Sequence, residues 1–117
     1  MASMGMGGSI LSNNLLNGKG KLRWCIREKS KHDVDNGWVF LSDIDTNDFL
    51  SNPKNMTVCD FGTMFEIEPA VLAIFDMPVG TELTFAEGKD GTRNFYHAKT
   101  GKKVIFDEEG NVKNPLG

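Results

Sequence analysis

A chain of 117 residues supports one hydrophobic core, and its 39% hydrophobic and 25% charged residues are ordinary globular values that exclude wholesale disorder. No apolar run reaches the roughly eighteen residues of a membrane span, and the N-terminus lacks the basic start and long apolar segment of a signal peptide, so the chain is expected in the cytoplasm. The net charge of −3 is unevenly spread: residues 1–31 carry six Lys/Arg and one acidic residue, residues 33–53 five Asp and no Lys or Arg, and residues 54–88 one Lys and six Asp/Glu. An acidic middle lacks the basic stripe that nucleic acid requires and suits a basic protein partner, with a merely solvated acidic face as the bland alternative.

Residues 1–20 hold five of the thirteen glycines and only Ile10-Leu11 and Leu15-Leu16 as apolar material, and read as a flexible tail. Over residues 21–28, Leu22, Trp24 and Ile26 alternate with Arg23, Cys25 and Arg27, the period of a half-buried strand. Residues 29–35 are too polar to bury. Asn36-Gly37 then supplies the two positive-φ positions of a tight hairpin turn into the apolar run Trp38-Val39-Phe40-Leu41. That run is the expected central strand, paired antiparallel with the first.

Residues 43–53 offer Asp45 and Thr46 as caps, Phe49-Leu50 as an apolar pair and Asn52-Pro53 as a stop, which fits one helical turn. Residues 56–61, centred on β-branched Val58, read as a short strand or extended link. Thr63-Met64-Phe65-Glu66 matches the capping box and predicts a helix start near residue 63. Pro69 stands at a first helical position, Val71, Leu72 and Phe75 follow at helical spacing, and Pro78 ends the segment. Strands are expected over residues 82–87, 93–98 and 103–106, the last two joined as a meander by Lys99-Thr100-Gly101.

Reaction centres are hard to find. Asp43, Asp45 and Asn47 resemble the start of a calcium loop, but Asp48 stands where that loop needs glycine and Lys54 where it needs glutamate, so they read as helix caps. The glycine-rich stretches near residues 5–8 and 18–21 do not have phosphate-loop spacing. Cys25 and Cys59 sit in apolar contexts and read as buried reduced thiols, and acidic neighbours Asp60 and Glu66 would raise the Cys59 pKa rather than activate it. His32 lies in a polar loop and reads as solvated, whereas His97 lies on a strand and reads as a hydrogen-bonded structural histidine. No cofactor or metal is implied.

Four segments in order carry a resemblance: Gly37-Trp38-Val39-Phe40-Leu41-Ser42 followed by the acidic residues Asp43, Asp45 and Asp48; Val58-Cys59-Asp60-Phe61-Gly62-Thr63; Glu68-Pro69-Ala70-Val71-Leu72; and Met77-Pro78-Val79-Gly80-Thr81-Glu82-Leu83. The pattern resembles the bacterial family known as domain of unknown function 2185, also described as immunity protein 33. The resemblance implies a small α+β intracellular protein that binds a toxin domain and neutralises it without doing chemistry. Family-like positions that could carry binding are Asp35, Trp38, Asp43, Asp45, Asp48 and Asp60, each with a hairpin, core or capping role as its structural alternative. Residues 29–33 depart from the family, replacing a hydrophobic-aromatic loop motif with a stretch holding two lysines.

The expected fold is therefore α+β, a small antiparallel sheet of four to six strands with one or two short helices packed on one face. Residues 1–20 are the expected tail, 21–87 the immunity-like domain and 88–117 a C-terminal β-meander extension of it. The expected function is a non-enzymatic binding protein that occludes a toxin or other protein partner through an acidic face. The rival reading is a small enzyme or small-molecule binder with a pocket near Cys59, Tyr96 and His97.

Overall fold

The computed structural model describes residues 5–117. Six strands form one sheet: β1 Gly8–Ser12, β2 Leu22–Arg27, β3 Asp35–Ser42, β4 Met56–Asp60, β5 Glu82–Glu87 and β6 Arg93–His97. Their spatial order is β4-β1-β3-β2-β5-β6, and every neighbouring pair is antiparallel except β1 with β3, which is parallel. The helical pieces are short: α1 Asn13–Leu16, α2 Asn47–Leu50, α3 Phe61–Ile67, and 3-10 turns at Pro53–Asn55 and Pro69–Ile74. This is the expected α+β fold, with β3 as its central strand.

One face of the sheet makes the core. Leu11, Cys25, Trp38, Phe40, Leu83, Phe85 and Phe95 are buried there with Phe61 and Met64 of α3 and Val71 and Ile74 of the following 3-10 turn. Trp38 stacks on Phe40 at 5.8 Å, and Phe61 meets Phe75 edge-on at 4.7 Å. Aromatic pairs of this kind add about 0.5–1.5 kcal/mol each beyond the area they bury.

Local chemistry accounts for the helix ends. The Asp60 carboxylate accepts from the Gly62 amide at 2.8 Å and caps α3, so the helix begins at Phe61 instead of near Thr63. Glu68 caps the next turn through Ala70 N, and Pro69 takes the first position, where no amide donor is needed. Thr46 caps α2 through Phe49 N at 3.1 Å.

Four expectations are corrected. Of the expected tail, residues 1–4 lie outside the described residues, but residues 8–12 form β1, an interior strand held between β3 and β4. Its apolar content is small because a five-residue strand needs only Leu11 to reach the core, while Ser9 is buried against Asn36 through hydrogen bonds of 2.9 and 3.1 Å. Asn36-Gly37 is not a hairpin turn. It lies inside β3, where four residue steps from Asp35 to Val39 oppose two steps from Gly8 to Ile10, a bulge that uses the positive φ of Gly37.

The third correction concerns β2. A register shift between Leu22 and Trp24 puts Leu22 and Cys25 on the core face and turns Trp24 and Ile26 to the other. The fourth concerns the C-terminal meander: residues 103–106 contribute only single bridges, Tyr96 with Lys103 and Phe106 with Val112, and no strand of their own after β6.

Candidate partner-binding surfaces

The six positions expected to bind a partner do not share one surface. Asp35 and Asp60 both lie opposite Gly8, at one end of the sheet. Asp43, Asp45 and Asp48 follow the other end of β3, about 23 Å away along an eight-residue strand. The intervening Trp38 is wholly buried: its indole Nε1–H donates to the Phe75 carbonyl at 3.0 Å, and the Arg27 guanidinium lies 5.6 Å from its ring.

Most of these carboxylates have structural partners. Asp35 accepts from the amides of Gly37 at 2.8 Å and Lys31 at 3.1 Å, bonds that hold its carboxyl below the usual range. Asp45 accepts from the hydroxyls of Ser12 and Ser42, from Asn14 Nδ2 and from the Ser42 amide, all at 2.7–2.8 Å. Partial burial pushes the Asp45 pKa up, but these hydrogen bonds outweigh it and hold the group below its ordinary value. Asp43 accepts from the Lys21 amide at 3.0 Å, which brings a lysine beside a sequence run that contains none. Asp43 and Asp48 are the two of the six whose residues are exposed.

The second face of the sheet carries no helix of the core layer. Across it runs a row in register, Val58 of β4, Ile10 of β1, Val39 of β3 and Ile26 of β2, with Leu41, Trp24, Thr84 and Tyr96 making a second row beside it. Trp24 is 39% exposed and Val58 74%, and the rest are partly exposed. Charges sit around this apolar field: Arg23 lies 6.0 Å from the Trp24 ring centroid, and Glu82 pairs with Lys99 at 3.1 Å. An apolar centre with a mixed-charge rim is the anatomy of a protein-binding face. Period-two alternation pointed Trp24 and Ile26 inward, and nothing in the residue pattern of β2 marks the bulge that turns them out.

The pocket expected near Cys59, Tyr96 and His97 does not form. Cys59 is on β4 and the other two are on β6, the opposite edges of a six-stranded sheet, so about 24 Å of sheet separates them. Tyr96 and His97 also point to opposite faces. His97 is buried and its Nε2 donates to the Asn114 carbonyl at 2.7 Å, tying the C-terminal segment to β6. Burial, with Glu68 nearby, drives the Cys25 thiol far above its ordinary pKa, and partial burial raises that of Cys59, so neither is disposed to form a thiolate nucleophile. Among the described residues no three His, Cys, Asp or Glu side chains converge as a metal site, and no helix is long and apolar enough to cross a membrane.

The sequence matches a family model described as the immunity protein Imm33 domain over residues 9–95, from β1 into β6. No curated protein and no solved structure matches it.

Proposed function

Because the chain belongs to the Imm33 immunity-protein family, we propose that it acts in the cytoplasm as an immunity protein, binding a toxin and occluding its working surface without chemistry of its own. The observation that carries this reading is the family match across residues 9–95. The exposed sheet face offers the contact area, with Trp24 as its aromatic anchor, because large, rigid, partly exposed aromatics supply most of the binding energy at such faces. The exposed carboxylates of Asp43 and Asp48 would steer a basic toxin, a contribution to association rate that salt screens. In this reading Asp35, Asp45 and Asp60 shape the loops and helix ends around the surface, and Trp38 supports it from the core.

The test is capture from the native lysate with the wild-type chain, Trp24→Ala and the double variant Asp43→Asn/Asp48→Asn, at low and moderate salt. A captured protein that arrests growth alone, and is silenced by co-expression of this chain, is the expected result. Trp24→Ala should weaken its binding by about 2 kcal/mol or more, whereas the double variant should slow association and flatten the salt dependence. Failure to capture any protein with relievable toxicity overturns the reading, and unchanged affinity in Trp24→Ala overturns the choice of face.

A further inference from the structure

The two edges of the sheet are treated differently. Along β6, the chain returns to cover the edge: Val104 N donates to the Phe95 carbonyl at 2.9 Å, His97 N donates to the Lys102 carbonyl at 2.8 Å, and Tyr96 bridges to Lys103. Along β4 no strand lies outside it among the described residues.

The direction of its free backbone groups follows from the ladder. Phe61 N donates to the Gly7 carbonyl at 2.9 Å, and Gly8 N turns the other way to the Val34 carbonyl at 2.7 Å. Antiparallel pairs alternate between bonded and non-bonded positions, so Thr57 and Cys59 direct their amides and carbonyls toward β1. Val58 directs both of its groups outward, whereas the Met56 amide donates to the Pro53 carbonyl and closes the preceding 3-10 turn.

Edge strands are commonly blunted by lysine, proline or a bulge. β4, Met-Thr-Val-Cys-Asp, has neither residue, and its five pairs with β1 are in unbroken register. Val58 is 74% exposed. On the core side Thr57 is exposed and Cys59 only partly buried, so α3 does not overhang the strand.

We propose that β4 pairs antiparallel with β4 of a second copy of this chain, about a two-fold axis through Val58, joining the two sheets edge to edge. The strand is self-complementary in that register. Val58 faces Val58, Thr57 faces Cys59 and Met56 faces Asp60, so no like charges stand opposite one another. The outward amide and carbonyl of Val58 then bond to their counterparts. The apolar row Val58, Ile10, Val39, Ile26 also meets its own copy end to end on one face. The proposal does not depend on the toxin reading.

The register gives a direct test on the full-length chain. Thr57 and Cys59 would occupy a non-bonded antiparallel pair, with Cα atoms about 4.5 Å apart and within disulfide reach. Thr57→Cys treated with diamide, which takes up the two protons and two electrons of the thiol pair, should give a species of twice the 12.9 kDa chain mass. That species should vanish with reductant or when Cys59→Ser is added.

Since a five-residue edge buries less than the ~1,000 Å² of a firm interface, uncrosslinked association is to be followed by sedimentation from about 10 µM to about 1 mM. Val58→Lys, at an exposed site that leaves the monomer folded by circular dichroism, should weaken dimerisation at least about tenfold. A monomer throughout that range overturns the proposal. So does a dimer undiminished by Val58→Lys, a crosslink indifferent to Cys59→Ser, or hydrogen-exchange protection of the Val58 amide that arises only with a captured toxin.

Discussion

Two side chains, Asp45 and Arg27, show how polar groups hold this fold together. Asp45 gathers four donors from the end of β1, from α1 and from the end of β3, so it joins segments more than thirty residues apart. Asp45→Ala strands Ser12, Asn14 and Ser42 and should cost about 2–4 kcal/mol by chemical denaturation at neutral pH. The pH dependence has a fixed sign. The folded pKa is depressed, so the stabilisation is complete above the ordinary carboxylate value and is lost as pH falls through the depressed one. Denaturation midpoints of wild type and Asp45→Asn should therefore converge in acid. Arg27 does the same work with the opposite charge: its guanidinium donates to the carbonyls of Asn36, Phe75 and Met77 at 2.7–3.1 Å while lying 5.6 Å from the Trp38 and Phe75 ring centroids. Both appear in the sequence only as members of charge runs, because their partners are distant.

At the level of elements, bulges decide which residues face outward. Gly37, in the β3 bulge, has φ of +83°, and a Cβ there would collide with the Glu28 carbonyl. Gly37→Ala should lower stability by more than about 2 kcal/mol, read as an earlier denaturant midpoint, with Trp38 fluorescence reporting the loosened core. Strand and helix positions were largely legible, because Leu83 and Phe85 alternate cleanly and Thr46, Glu68 and Pro69 mark helix starts. The facing of β2 was not, since a one-residue bulge leaves no trace in composition yet reverses every side chain beyond it. For the same reason Trp24, which the alternation pointed inward, is the partly exposed tryptophan, while Trp38, a binding position only by the family resemblance, lies in the core. The dispersal of the acidic positions was equally hidden, because residues close in sequence diverge once an extended strand separates them.

For the whole molecule, the N-terminal segment is structural. Among the described residues β1 is the only neighbour of β4 and one of the two neighbours of β3, so it holds one edge strand to the remainder of the sheet. Deleting residues 1–12 should abolish cooperative unfolding, whereas a chain that kept its native circular dichroism and a sharp transition would contradict that role. β1 also sets a time order. It is synthesised before its partners, yet Gly8 must wait for Asp35, 27 residues later, and for Asp60, 52 residues later. At translation rates of about 5–20 residues per second, β1 spends seconds without a neighbour to pair with. The strand that ties the β4 edge to the sheet is thus made before either strand it must join.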